Sequence, residues 1–181
     1  MITVISGTNR PKNRTRIVAE KYVTMLRENT SEEVAFLSLE SLPSDIFHLQ
    51  MYESAHQASG LVTIQDKFIF PADKFVFLAP EYNGSFPGVL KLFIDACSVR
   101  NYKQNFKGKK AALIGTSDGR AGNLRGMDHL TGLLNYLGVN ILPNRLPISL
   151  INSVINKETL ELTDEPTLKL LSEQALEFIN F

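Results

Sequence analysis

A segment near the N-terminus, ITVISGTNRPKNRT (residues 2–15), combines residue types that suit an anion site. An apolar, β-branched run typical of a buried strand ends in Ser-Gly-Thr, and Arg10 and Arg14 then stand among small polar residues before a helical pattern begins. A strand, a hydroxyl-rich turn and a helix N-terminus together present backbone N–H groups and the positive end of a helix dipole, which favours phosphate. The segment fits neither of the glycine-rich phosphate motifs, GxxxxGKS/T and GxGxxG, so a phosphate site and an ordinary polar loop are equal alternatives at this point.

The composition argues against several classes of partner. With 19 basic and 19 acidic residues among 181, the chain has no net charge to attract nucleic acid or an anionic membrane surface. No apolar run approaches the roughly 20 residues of a membrane span, and the N-terminus does not resemble a signal peptide. The single cysteine, Cys97, cannot form an internal disulfide and lies in an apolar helical pattern, which favours a buried thiol in a reducing compartment. We therefore expect a cytoplasmic protein with one domain over residues 1–181.

Five apolar strand patterns alternate with helical patterns along the chain. The strands are predicted over residues 1–5, 33–39, 74–79, 109–115 and 139–142. The helices are predicted over residues 15–28, 61–70, 87–98, 127–137 and 164–179. Residues 40–60 form a long, polar connection with two histidines, His48 and His56. Neither histidine has a partner at the spacing of metal ligands, so no metal site is predicted.

Alternating strands and helices predict an α/β sandwich with a parallel sheet, because each crossover helix covers one face of the sheet. Right-handed crossovers and five strands favour the doubly wound order 2-1-3-4-5, in which strands one, three and four are neighbours. Ligands bind such sheets where the strand order reverses, outside the carboxyl ends of the strands. The loops that converge there are residues 6–15, 80–86 and 116–123, all rich in glycine and small polar side chains.

The second of these loops carries the most specific pattern. The sequence PEYNGSFPGVLKLFID, residues 80–95, resembles the PEYNGSxPGxLKNxID signature of the NAD(P)H-dependent FMN reductase family. Residues 7–15 resemble the GSxRxxSxN phosphate motif of that family, with Asn13 and Thr15 in place of the usual Ser and Asn. The loop GTSDGRAGN, residues 115–123, is similar to the glycine-containing loop after strand four in that family. The resemblance implies a flavodoxin-like three-layer α/β/α sandwich with a five-stranded parallel sheet.

The resemblance also implies that all three loops bind FMN. The 5′-phosphate is expected on the first loop, where hydroxyl, amide and guanidinium groups donate hydrogen bonds. The backbone of the second loop is expected along the polar edge of the flavin ring, with Tyr82 as an aromatic wall. No catalytic side chain is predicted, because the flavin itself supplies the chemistry. The predicted cofactor-binding residues are Thr8, Arg10, Asn13, Arg14, Thr15, Pro80, Glu81, Tyr82, Asn83, Gly84, Thr116, Ser117, Asp118, Gly119 and Gly122.

Several side chains near these loops also have plain structural interpretations. Tyr82 fits core packing, and Glu81 fits helix capping or a solvated surface. Asp118 and Arg120 fit an ion pair on the surface, and His129 fits an exposed position on a helix.

The resemblance implies that a hydride passes from NADPH or NADH to bound FMN, and that a quinone, free flavin or similar acceptor then takes the electrons. It also implies a homodimer or homotetramer with the flavin near the subunit interface, where residues 40–60 are candidates to cover the flavin or contact the neighbour. Two other classes stay open, a flavodoxin-like electron carrier without NAD(P)H activity and a flavin-free protein of the same fold. The balanced charge argues against the carrier, because flavodoxins usually dock to redox partners through strongly acidic surfaces.

Overall fold

The parallel sheet is built around β1 (Ile2–Ser6), whose five residues are all buried. In the computed structural model, which describes residues 1–181, β1 lies between β2 (Val34–Ser38) and β3 (Lys74–Pro80). β3 pairs in turn with β4 (Lys110–Thr116), and β4 pairs with the short β5 (Asn140–Ile141). Because every pair is parallel and the order is β2-β1-β3-β4-β5, the predicted flavodoxin-like order is confirmed.

A sixth strand, β6 (Leu146–Ile148), was not predicted and pairs with the second half of β4. β5 pairs with the first half of β4 through only two residues. The chain then turns at Pro143, which lacks the backbone N–H that would continue the hydrogen-bond ladder. β6 pairs with the remaining, C-terminal half of β4, which leads into the candidate site. Pro147 is tolerated within β6 because this is an edge strand.

Helices cover both faces of the sheet. They are α1 (Arg14–Asn29), α2 (Ser59–Ile64), α3 (Gly88–Cys97), α4 (Tyr102–Phe106), α5 (Leu124–Tyr136), α6 (Ile151–Val154) and α7 (Glu165–Asn180). One apolar core of 24 buried residues joins the sheet to α2, α3 and α5, and a second core of 22 joins it to α1 and α7. The two cores are similar in size, which gives the three-layer sandwich predicted from the sequence.

Local signals explain where the long helices begin. The side chain of Asn13 caps α1 by accepting from the backbone N–H of Arg16, and Asp164 caps α7 in the same way through Thr167. Pro87, which was predicted inside the first turn of its helix, instead precedes α3 as its N-cap residue. The short helices α4 and α6 were not predicted, because four or five residues are too few to show a helical period.

Residues 40–60 are ordered by packing. Three single turns of 3₁₀-helix (Leu39–Ser41, Ser44–Ile46 and Ser54–His56) shape the segment, and Ile46 and Met51 are buried in the core beside α3. The predicted helix over residues 61–70 is found as α2 followed by a π-helical stretch, Gln65–Ile69. Cys97 is fully buried, as predicted, and burial raises the pKa of its thiol well above the usual range. No helix combines the length and the apolar character that crossing a bilayer requires.

Candidate functional site

The carboxyl ends of β1, β3 and β4 bring three loops together, here called the first loop (residues 7–13), the second loop (residues 81–87) and the third loop (residues 117–123). Backbone hydrogen bonds fix the loops where they leave the sheet. The N–H of Gly7 donates to the carbonyl of Leu78 at 2.8 Å, and the N–H of Glu81 donates to the carbonyl of Thr116 at 2.8 Å. The strand order therefore does assemble the three predicted segments at one edge of the sheet.

The first loop is organised by Asn13. Its Oδ1 accepts from the backbone N–H of Arg16 at 2.8 Å, while its Nδ2 donates to the carbonyl of Arg10 at 2.8 Å. The amide that was predicted to bind phosphate is thus engaged in shaping the loop and starting α1. Arg10 and Arg14 are exposed and form no ion pair, so both guanidinium groups are available to an anion.

Glu40, in the turn that follows β2, contacts the first loop. This contact was not predicted from the sequence. The carboxylate of Glu40 accepts from the backbone N–H of Lys12 and from Nδ2 of Asn13, both at 3.3 Å, and lies 3.6 Å from the guanidinium of Arg16. Lys12 has a φ of 54°, so the carboxylate holds a backbone conformation that lysine rarely adopts. Arg16 also binds Glu20, and that hydrogen bond raises the pKa of the guanidinium.

All three threonines that were predicted to bind the cofactor, Thr8, Thr15 and Thr116, are buried under the loops. Oγ1 of Thr15 lies 2.8 Å from Oγ1 of Thr116, which ties the first turn of α1 to the end of β4. Thr8 is fully buried, and its Oγ1 accepts from the backbone N–H of Arg10 at 3.2 Å and lies 2.7 Å from the phenol oxygen of Tyr82. Thr15 still lines the cavity described below, whereas Thr8 does not.

The second loop contains a two-residue hairpin. Tyr82 and Ser85 exchange backbone hydrogen bonds of 2.8 and 3.0 Å around Asn83 and Gly84, whose φ values are 51° and 76°. Two consecutive positive φ values are the mark of the tight turn that the dipeptide Asn-Gly favours. The hydroxyl of Ser85 lies 2.9 Å from Nδ1 of His129, so this histidine, although exposed as predicted, also holds the hairpin against α5.

The third loop is held by the segment around α6. The carboxylate of Asp118 accepts from Nδ2 of Asn152 at 2.7 Å. It forms no ion pair with Arg120, so that predicted alternative is wrong. The carbonyl of Gly119 accepts from the backbone N–H of Leu150 at 2.9 Å, and the N–H of Ser117 donates to the carbonyl of Ile148 at 3.0 Å. Residues 148–152 were not predicted to belong to the site, because their sequence carries no polar motif that would indicate it.

Two cavities adjoin at these loops. A polar cavity of about 270 Å³ is lined by Arg10, Pro11, Lys12, Asn13, Arg14, Thr15, Pro80, Glu81, Tyr82, Thr116, Ser117, Asp118 and Ile151. An outer cavity of about 490 Å³ is lined by Asn9, Arg10, Glu81, Tyr82 and Asn83. The two share Arg10, Glu81 and Tyr82, so they form one continuous site. Of the predicted residues, Thr8, Gly84, Gly119 and Gly122 line neither cavity.

This donor set suits a ligand with an anionic end and a flat end. Free guanidinium groups, hydroxyls and the N-terminus of a 16-residue helix converge on the polar cavity, and such groups bind phosphate. The outer cavity is open and is bounded by an aromatic ring and a tight backbone turn. Comparison with known proteins identifies the ligand class, since the sequence model of NADPH-dependent FMN reductases matches residues 1–152. The chain belongs to this family.

Individual proteins are similar to part or nearly all of the chain. An NAD(P)H-dependent FMN reductase of Pseudomonas aeruginosa is 32% identical over 175 residues, which cover 94% of this chain and 88% of that protein. A 2-hydroxy-1,4-benzoquinone reductase of Burkholderia is 41% identical over 71 residues, 39% of each chain. The structure of FerB, an NAD(P)H:(acceptor) oxidoreductase of Paracoccus denitrificans, superposes with a TM-score of 0.78 at 27% identity, over 99% of this chain and 94% of FerB. The chain is accordingly a flavin-dependent oxidoreductase with FMN as its cofactor and NAD(P)H as its electron donor.

Proposed function

We propose that residues 1–181 form one FMN-binding domain that uses NAD(P)H to reduce a quinone. The observation that carries this proposal is the continuous site at the switch point, with free arginines at one end and the Tyr82 hairpin at the other. Arg10, Arg14 and the hairpin at Tyr82 would hold FMN there, and the bound flavin would supply the hydride and electron chemistry between the nicotinamide and the acceptor. The protein needs no acid, base or nucleophile of its own; its residues bind, orient and shield.

The proposed orientation places the phosphate of FMN in the polar cavity. Arg10 and Arg14 supply charge-assisted hydrogen bonds, and the hydroxyls of Thr15 and Thr116 lie on the cavity floor. The hairpin at Asn83 would then hold the flavin ring in the outer cavity, with backbone groups of the hairpin facing the polar edge of the ring. This orientation follows from charge alone, because the outer cavity contains a single cation, Arg10, at the border with the polar cavity.

Titration of the purified protein with FMN tests the cofactor, and anaerobic mixing with NADPH or NADH tests the activity. We expect stoichiometric binding of FMN and rapid loss of visible flavin absorbance when nucleotide is added. Binding of FMN without bleaching by either nucleotide would instead establish an electron carrier. A protein that binds no FMN would exclude both classes and leave a flavin-free role for the fold.

A quinone is the acceptor best supported by the comparisons, since a similar protein is a 2-hydroxy-1,4-benzoquinone reductase. Steady-state kinetics with a series of quinones and free flavins will rank the acceptors. Preference for NADPH over NADH requires a cation near the 2′-phosphate, and Lys12, Arg14 and Arg120 are exposed cations without an ion pair at the site. The ratio of kcat/KM for NADPH to that for NADH, measured for an alanine variant of each residue, will show which one contributes.

We also propose that the chain acts in the cytoplasm as a homodimer. An apolar cleft of about 810 Å³ between α3, α4 and α5 reaches the second loop at Ser85 and contains Phe86, Ile94, Leu133 and Tyr136. The side chain of Tyr136 is 85% exposed, which is unusual for a large aromatic residue on a monomer surface. A second copy seated on this cleft would lie beside the proposed flavin position.

Light scattering of two matched charge variants tests the interface. Tyr136→Glu alters the cleft, whereas Leu49→Glu alters the fully exposed side chain of the 40–60 segment, the other candidate contact. We expect a dimeric wild type, a monomeric Tyr136→Glu variant and a dimeric Leu49→Glu variant. The reverse pattern would assign the interface to residues 40–60. Point variants are preferred to deletion of that segment, because Ile46 and Met51 within it are part of the core.

A further inference from the structure

The hydrogen bond between Thr8 and Tyr82 has a direction that the surroundings of the two side chains determine. Thr8 is fully buried, and its oxygen already accepts from the backbone N–H of Arg10. A buried hydroxyl group must donate its own hydrogen as well, and the acceptor within reach of Thr8 Oγ1 is the phenol oxygen of Tyr82 at 2.7 Å. These surroundings favour Thr8 as the donor and Tyr82 as the acceptor.

This direction leaves the phenol hydrogen of Tyr82 unused. Tyr82 lines both the polar and the outer cavity, whereas Thr8 lines neither. The phenol oxygen lies at the first loop, since it is 2.7 Å from Thr8, and its free hydrogen is therefore presented at the phosphate end of the site. The result is a chain of donors from the N–H of Arg10 through Thr8 to Tyr82, and each bond polarises the next.

We propose that the Tyr82 hydroxyl donates a hydrogen bond to the phosphate of FMN, and that Thr8 is a positioning residue that orients this hydroxyl. The inference rests on the proposed function, because it requires FMN to bind with its phosphate on the first loop. It changes two predictions made from the sequence, in which Thr8 binds the phosphate directly and Tyr82 forms an aromatic wall beside the flavin ring. A residue of the second loop thereby contributes to recognition of the phosphate.

Comparison of FMN with riboflavin, which lacks the phosphate, isolates this contact. We expect Tyr82→Phe to weaken FMN binding about tenfold, as for loss of a hydrogen bond to a charged group, and to leave riboflavin binding nearly unchanged. Thr8→Val, which keeps the shape of the side chain, should weaken FMN binding in the same direction. The double variant should be no weaker than Tyr82→Phe alone, because both changes break one chain of hydrogen bonds.

Tyr22→Phe is the matched control, because Tyr22 is a buried tyrosine whose hydroxyl binds Gln174 at 3.2 Å, between α1 and α7 and away from the three loops. It should bind both flavins as the wild type does. Equal losses of FMN and riboflavin affinity in Tyr82→Phe would overturn the assignment and leave Tyr82 as a contact of the ring. Additive losses in the double variant would also overturn it, since Thr8 would then act independently. A wild type that binds riboflavin as tightly as FMN would overturn this assignment and the proposed orientation of FMN, but not the reductase activity. A wild type that binds neither flavin would refute the proposed function itself.

Discussion

Gly115 at the end of β4 faces the carbonyl oxygen of Gly122 so closely that a Cβ atom on Gly115 would lie 2.1 Å from that oxygen. The third loop therefore folds back directly onto the strand from which it emerges. This return contact is reinforced by the hydroxyl of Ser117, which accepts from the N–H of Gly122 at 2.9 Å and donates to the carbonyl of Gly119 at 2.9 Å. The position of the loop at the site depends on the absence of a side chain at residue 115.

We expect Gly115→Ala to displace the third loop. The new methyl group collides with backbone, which cannot rotate away as a flexible side chain can, so overpacking should lower the free energy of unfolding by about 1–3 kcal/mol. FMN binding should weaken as well, because Ser117 and Asp118 line the polar cavity. Urea denaturation and FMN titration measure the two effects.

Gly132→Ala provides the control for that experiment. An added Cβ at Gly132 meets no atom within 4 Å, and the residue lies within α5. Replacing a helical glycine by alanine should raise the free energy of unfolding by about 0.5–1 kcal/mol and leave FMN binding unchanged. If Gly115→Ala behaved like Gly132→Ala, the close return of the third loop would not be a constraint on the site.

Arg10→Ala should weaken FMN binding by about 1.5–3 kcal/mol, the contribution of a hydrogen bond that involves a charged group. Arg10 lines both cavities and forms no ion pair, so its charge is not already neutralised within the protein. Equilibrium titration at two salt concentrations measures the loss. Lys157→Ala removes an equal charge from an exposed position outside the three loops and should have no effect. Equal affinities of the wild type and Arg10→Ala for FMN would show that the first loop is an ordinary polar loop and not a phosphate site.

Asn13→Ala should lower the free energy of unfolding by about 1 kcal/mol, because α1 loses its N-terminal cap. Asn13→Ser restores the residue that the family motif usually has and should regain most of the loss, since serine caps helices as well as asparagine does. Thermal unfolding in the absence of FMN separates this structural role from any contact with the phosphate. An Asn13→Ala variant as stable as the wild type would show that the cap at Asn13 contributes nothing.

The sequence predicted the long elements and the meeting of three loops, because apolar strands alternate with amphipathic helices and right-handed crossovers favour the order 2-1-3-4-5 for five strands. It did not reveal β6, whose three residues include a proline and are too short for a periodic pattern. The switch from β5 to β6 along β4 depends on tertiary pairing with residues such as Ile114, which no local signal encodes. Short helices escaped prediction for the same reason.

At the site, the sequence predicted which loops meet, but not the contacts that individual side chains make. Thr8 and Tyr82 were both selected, yet only the folded chain shows that one is buried behind the other. Glu40 was missed because it lies 28 residues from Lys12 along the chain, and a single carboxylate at the end of a strand carries no motif. Asn152, which holds Asp118, was missed for the same reason.

Lys109 makes the stability of the fold dependent on pH in the alkaline range. Its ammonium donates to the carbonyls of Ile69 and Phe70 at 2.8 and 3.0 Å, where the π-helical stretch ends, and burial lowers its pKa from the ordinary 10.5 to about 8. Because the folded pKa is the lower one, between pH 8 and 10.5 the unfolded chain binds more protons, and the free energy of unfolding rises with pH. Well below pH 8 Lys109 is protonated in both the folded and the unfolded state, so the free-energy cost of burying its charge does not change with pH.

We therefore expect the wild type to gain stability relative to Lys109→Met as the pH is raised from 7 to 10. The relative gain should be on the order of 1–2 kcal/mol, after allowance for the partial exposure of the side chain. Urea denaturation of both proteins at each pH measures it, and the difference between them cancels the titration of the remaining lysines and tyrosines. Lys157→Met, an exposed control, should show no such trend against the wild type. The stability difference between the two proteins could instead stay constant with pH or shift in favour of Lys109→Met. Either result would mean that the two carbonyl acceptors compensate fully for burial of the ammonium group.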